Sequence, residues 1–232
     1  VTIFNNVFVP WDKVFMCGET EFSGTLVERF AGYHRQSYGG CKVGVGDTLI
    51  GATKAIADYQ GVPKASHIKD KIIEMCHLNE TLYACGIACS AEGSKTPANN
   101  YMINILLANI CKQNVTRFPY EIARLAQDIA GGLLVTMPSS KDFDNPDVGP
   151  LLTKYLAPRS DVPTENRQRM LRYIENLTMG CAAVGYLTES MHGAGSPQAQ
   201  RIMISRGENL EQYKECAEKL CGIKENPDVD WA

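Results

Sequence analysis

Between Thr25 and Gln60, apolar and aromatic side chains recur every three or four positions, through Phe30, His34, Tyr38, Cys41, Val45, Leu49, Ala52, Ile56 and Tyr59. That pattern predicts one amphipathic helix of about ten turns. A stripe this long is buried only against other helices. Gly39-Gly40, Gly44, Gly46 and Gly51 interrupt it, each costing about 1 kcal/mol in an exposed helix, so close packing or approach of a ligand is expected to compensate.

The rest of the chain supplies the partners. After Gly61-Val62-Pro63, a second helix is expected over 65–92, with Ile68, Ile72, Met75, Leu78, Leu82, Cys85 and Cys89 on one stripe. A third follows over 98–113 and a fourth over 118–129, ended by Gly131-Gly132. Turn signals fill 137–150. Thr164 is placed to cap a fifth helix reaching Tyr186, and a last one covers 198–221 after the glycine loop 193–195. Only the opening stretch Val1–Phe15 alternates like a strand and hairpin, turning at Asn5-Asn6. The expected fold is mostly α: a helical bundle over 25–232, preceded by a short β segment over 1–24 that closes a β domain.

Composition narrows the function. The 232 residues carry 23 basic and 26 acidic side chains, a net charge of −3, which offers no basic field for nucleic acid. No apolar run approaches the roughly 20 residues of a membrane-spanning helix. Nine cysteines is a high and odd count. With long helical periods and no leader pattern at Val1, it suggests reduced thiols in the cytoplasm rather than a disulfide scaffold. The three Asn-x-Thr sequons, at Asn79, Asn114 and Asn176, carry no meaning without a secretory signal.

The sharpest chemical signal is Tyr33-His34-Arg35-Gln36-Ser37-Tyr38-Gly39-Gly40-Cys41-Lys42. His34 and Cys41 lie two turns apart on one face, separated by about 10.5 Å of rise, with Tyr38 between them and Lys42 adjoining. That separation is too great for one small ion, but it suits two irons of one cluster. On residue types alone, a packed histidine and cysteine explain it at least as well. Cys85-x3-Cys89, with His77 two turns earlier, is a rival thiol pair, for which small apolar neighbours favour burial. Cys17, Cys76, Cys111 and Cys181 have no partner at metal spacing, and Cys216 and Cys221 sit in a charged helix. Gln127-Asp128-Ile129-Ala130-Gly131-Gly132 ends a helix where bare backbone could meet a flat ligand. Glu189-Ser190-Met191-His192-Gly193-Ala194-Gly195-Ser196 joins a carboxylate, an imidazole and a glycine loop, suited to acid–base work or to a turn.

These stretches, with Phe4-Asn5-Asn6-Val7-Phe8-Val9-Pro10-Trp11, resemble the 4-hydroxyphenylacetate 3-hydroxylase-like flavoproteins, which have an acyl-CoA-dehydrogenase-like fold. The His-x6-Cys stretch is similar to the iron–sulfur dehydratase branch of that family. The resemblance spans nearly the whole chain. It implies FAD and a 4Fe-4S cluster held by three cysteines and one histidine. His34 and Cys41 would be cluster ligands, Tyr38 and Lys42 active-site groups, Glu189 an acid–base group, and His34 also a base when it leaves the metal. Gln127, Gly131 and Gly132 would approach the flavin. The implied activity is dehydration of 4-hydroxybutyryl-CoA to crotonyl-CoA with vinylacetyl-CoA Δ-isomerase activity, by a flavin radical mechanism with iron as Lewis acid.

The family's other two cluster cysteines and most of its flavin and acyl-CoA pocket come from an N-terminal region. The chain is therefore expected to be the C-terminal portion of a longer polypeptide, partnered by that region, by the acyl-CoA substrate and by copies of itself in a homotetramer. Cys85 and Cys89 have the right spacing but follow the His-Cys stretch, where the family has no ligand. A flavin-dependent 4-hydroxyphenylacetate 3-monooxygenase-type domain, sharing the bundle without iron, stands as an alternative. So does a noncatalytic helical oligomerisation domain.

Overall fold

The structure is a computed structural model and describes residues 1–223; residues 224–232, the end of the expected 25–232 domain, lie outside the described residues. After single 3-10 turns at Trp11–Lys13 and Thr20–Phe22, the chain forms α1 (Ser23–Tyr59), α2 (Ser66–Ala91), β1 (Ser94–Lys95), β2 (Tyr101–Met102), α3 (Ile105–Val115) and α4 (Phe118–Ala130). Short helices α5 (Leu133–Thr136), α6 (Ser140–Phe143) and α7 (Gly149–Tyr155) lead to α8 (Thr164–Thr178). The chain ends with α9 (Cys181–Ala183), a π-helical stretch Val184–Thr188, α10 (Glu189–His192), α11 (Pro197–Gly207) and α12 (Leu210–Leu220). No helix among the described residues is long and apolar enough to cross a membrane.

The long period becomes α1, 37 residues without a proline, stopped where Gly61 takes a φ of +76°. Its inner face runs through the centre of the bundle. Leu49, Ala52 and Ile56 join Met75 and Leu78 of α2, Ile122, Leu125 and Ile129 of α4, and Leu171 and Ile174 of α8 in the main core. Farther up α1, Tyr38 and Val43 pack with Leu82 and Val115, while Cys89, Ile103, Ala108 and Cys111 form a third cluster. α1 and α2 come closest at two glycines. A methyl group on Gly39 would lie 2.8 Å from the Gly86 Cα and 3.1 Å from the Leu82 carbonyl oxygen, so only glycine permits this approach. Gly46 makes room for the buried Asn79 in the same way. Gly40, Gly44 and Gly51 face open space, so packing does not compensate for them.

The structure corrects several expectations. Residues 1–15 form no strand; the segment is exposed, and without a partner edge its backbone gains no ladder. The only ladder among the described residues is the β1–β2 pair, Ser94 opposite Met102. Its second strand occupies the start of the expected third helix, which begins instead at Ile105, where the Asn104 side chain accepts from the Leu107 amide at 3.0 Å. Thr164 does not cap α8. Its hydroxyl donates to the Thr153 carbonyl, 2.9 Å away. The expected fifth helix stops at Thr178, where the Met179 and Gly180 amides both turn back to the Glu175 carbonyl. The last helix breaks in two at Glu208, and Asn209 caps its second half.

Candidate active site

α1 presents His34, Tyr38, Cys41 and Lys42 on one side, as a helical period requires. Their environments differ. Tyr38 and Lys42 are buried, whereas His34 and Cys41 are exposed. The His34 ring stacks on Tyr38 at 5.2 Å between centroids and 10° between planes, with Phe30 edge-on to His34 at 6.3 Å.

Glu189 arrives from the other end of the sequence. The π-helical stretch Val184–Thr188 adds a residue per turn and re-aims the start of α10 toward α1. The Tyr38 hydroxyl donates to Glu189 Oε1, and the Lys42 ammonium donates to Glu189 Oε2 and, at 2.6 Å, to the Gly185 carbonyl. Both carboxylate oxygens are thereby occupied. A methyl group on Gly193 would overlap the Tyr38 hydroxyl and the Glu189 carboxylate, so the turn after α10 closes directly on the pair.

The charges follow from this geometry. Burial pushes the Tyr38 phenol up, and the Glu189 carboxylate pushes it further, so the hydroxyl keeps its proton well above neutral pH. Partial burial pushes Glu189 up, but the Lys42 ammonium and the Tyr38 hydroxyl outweigh this and hold the carboxyl below its ordinary value. At neutral pH the unit is therefore an ionised carboxylate between a phenol and an ammonium. The geometry suits delivery or recovery of a proton at Glu189 Oε or at the Tyr38 oxygen.

A second lysine lies beneath it. Lys112 of α3 is fully buried; its Nζ sits 4.9 Å from the Tyr38 ring centroid, as Lys42 Nζ does at 5.0 Å, and bonds the Ser190 and Met191 carbonyls. Burial lowers its pKa to about 8. Arg35, also buried, donates to the Ala194 carbonyl at 3.0 Å and to Asn109 Oδ1 at 2.8 Å. The sequence reading did not single out Lys112, Arg35 or Asn109. A signal for the lysine was present: it occupies the i+4 position from Ala108 on an α3 stripe that is otherwise Ala108, Cys111 and Val115.

The remaining site residues lie apart from this unit. The Gln127 amide donates to the Thr178 carbonyl at 3.4 Å, Gly131 adopts a φ of +77°, and Gly131 and Gly132 both present bare backbone to open space. No hydrogen bond among the described residues joins them to Tyr38 or Glu189. Cys85 and Cys89 turn toward α3, where Cys89 and Cys111 are buried against Ile103 and Ala108. Hydrogen bonding to Cys89 and burial push the Cys111 thiol strongly up, and the same bond lowers Cys89. Burial raises Cys85, which accepts from the Asn114 amide at 3.7 Å. Among the described residues, no three His, Cys, Asp or Glu side chains converge as an ion site. His34 and Cys41 nevertheless suit half of an iron–sulfur ligand set: an imidazole and a thiol, both exposed and neither engaged by a side-chain hydrogen bond among the described residues.

A long-helix bundle that brings a carboxylate, a phenol and two lysines together at the junction of α1, α3 and α10 defines a class of enzyme-like helical domain. The family model described as 4-hydroxyphenylacetate 3-hydroxylase C terminal matches residues 23–222, and the chain belongs to that family. Over 97% of its length the chain is 62% identical to the 4-hydroxybutyryl-CoA dehydratase/vinylacetyl-CoA-Δ-isomerase of Clostridium aminobutyricum, covering 47% of that relative. An oxygen-tolerant archaeal 4-hydroxybutyryl-CoA dehydratase from N. maritimus superposes with a TM-score of 0.93 at 63% identity, over 98% of this chain and 45% of that one. The oxygenase component of 4-hydroxyphenylacetate 3-monooxygenase, solved with FAD and 4-hydroxyphenylacetate, shares the fold with a TM-score of 0.83 at 21% identity, over 94% of this chain and 46% of that one. The chain thus spans about half the length of the relatives it matches.

Proposed function

We propose that this chain forms part of an enzyme that dehydrates 4-hydroxybutyryl-CoA to crotonyl-CoA and isomerises vinylacetyl-CoA, using FAD and a 4Fe-4S cluster. The observation that carries this reading is the Tyr38–Glu189–Lys42 unit on the helix that exposes His34 and Cys41. High identity to a relative named for both activities supports the substrate class. The relatives' other half would supply the remaining cluster thiolates and much of the CoA pocket. We place the enzyme in the cytoplasm as a homotetramer, with residues 1–24 belonging to a neighbouring β domain.

When bound, the flavin supplies one-electron oxidation and the cluster a Lewis-acidic iron. His34 and Cys41 would hold the iron, and Gly131 and Gly132, beside Gln127, would let a flat cofactor approach bare backbone. The chain's own residues handle protons. Tyr38, kept protonated, can turn its single O–H from Glu189 to an oxygen where charge develops. Glu189 accepts a proton once one of its two bonds is released, and Lys42 holds it ionised until then. Exposed His34, whose ring no side chain among the described residues hydrogen-bonds, would accept a substrate proton only when it is off the iron.

The test is anaerobic turnover by the whole protein that carries this sequence, with iron and acid-labile sulfide analysis. Crotonyl-CoA from both thioesters and about four irons per subunit are expected. An iron-free flavoprotein that hydroxylates 4-hydroxyphenylacetate, or a protein that retains no flavin, would overturn the reading.

A further inference from the structure

We propose that Lys112 is a positioning residue for the reaction: it anchors the start of α10 so that the Glu189 carboxylate meets Tyr38 and Lys42. The inference rests on the proposed dehydratase and isomerase function. An ammonium has three N–H bonds, and Lys112 has three partners: the Ser190 carbonyl, the Met191 carbonyl and the face of the Tyr38 ring. All three belong to the site. Ser190 and Met191 directly follow Glu189, so the bonds fix the backbone that carries the carboxylate, while the ring contact fixes the phenol that donates to it.

A charge this deep is costly unless its environment is arranged around it, and no acidic side chain among the described residues bonds Lys112 directly. Apart from Lys112, the α10 segment is tied through the Glu189 carboxylate and through the Ser190 hydroxyl, which donates to the Tyr186 carbonyl. It is one turn of helix between a π-helical stretch and a loop in which Ala194 and Gly195 both take positive φ. Arg35 holds the far end through the Ala194 carbonyl. Lys112 holds the near end, from a helix that contributes no other charged side chain to the site.

The test uses the whole holoenzyme. If Lys112 acts through Glu189, the two positions are coupled. K112M in the otherwise native protein should lower kcat for vinylacetyl-CoA isomerisation at least tenfold, with KM changed less than threefold and iron and flavin contents unaltered. On an E189Q background the same substitution should cost less than threefold. Full additivity, or a native kcat in K112M, would overturn the proposal. If K112M does not fold, amide hydrogen exchange in the native protein decides. Amides 190–194 should exchange at least a hundredfold more slowly than those of the exposed loop 144–148, and equal rates would remove the anchor. A native protein that converts neither thioester defeats the functional reading, while the exchange result still decides whether the anchor exists.

Discussion

Tyr38 has two lysines near its ring, a histidine stacked on it and a carboxylate on its hydroxyl. Burial and the Glu189 carboxylate keep the Tyr38 phenol protonated, and burial lowers the Lys112 ammonium. Lys112 shows the thermodynamic consequence. Its folded pKa of about 8 lies below its ordinary 10.5, so between those values the unfolded chain binds more protons and stability rises with pH. K112M should abolish that rise, as followed by urea unfolding between pH 8 and 10.5. Glu189 has the opposite signature. Its folded pKa is depressed, so the stability it contributes is present above about 4.5 and is lost as pH falls further. E189Q should flatten the acid limb of the unfolding profile. For His34, replacement by cysteine keeps a soft ligand and deletes a base, so H34C should retain iron while losing most activity. Equal loss of both would make the imidazole purely structural.

Among the elements, α1 sets the geometry of everything else, and its glycines set the distance to α2. G39A should destabilise the fold by about 1–3 kcal/mol, because the added methyl meets Gly86 backbone that cannot move aside. G40A, one residue away on the open face, should be neutral or mildly stabilising; chemical denaturation of the two variants compares them directly. The single-helix features were legible in the sequence because spacing alone decides them: α1 itself, and the placement of His34, Tyr38, Cys41 and Lys42 on one side. The bond from Lys42 to Glu189 joins residues 147 positions apart. No periodicity encodes such a pairing. The π-helical stretch was invisible for a related reason: Val184–Thr188 continues the apolar pattern of α8, and only the turn at Gly180 reveals the break. Lys112 was passed over because a lysine on an apolar stripe resembles a tolerated surface charge until the fold buries it.

For the whole molecule, the bundle closes its core among α1, α2, α4 and α8 but leaves one end of α1 uncovered. Phe22, Leu26, Val27 and Phe30 are exposed there, one turn before His34. The opening pattern 1–15 forms no strand for the same physical cause: its apolar residues are real, but nothing in the described structure pairs with or covers them. An apolar face of this kind drives association. The isolated chain should therefore sediment as species heavier than its 25.5 kDa, and L26E combined with F30E should shift it toward monomer. In the proposed function, Tyr38, Lys42 and Glu189 form the proton-handling unit of a CoA-thioester dehydratase and isomerase. The measurement that tests it most directly is steady-state turnover of vinylacetyl-CoA by E189Q in the whole, cofactor-loaded protein, beside its iron and flavin content. A kcat lowered by roughly 10²–10⁴-fold with cofactors retained is expected, as loss of a general acid–base group requires; an unchanged kcat with cofactors in place would rule out that role.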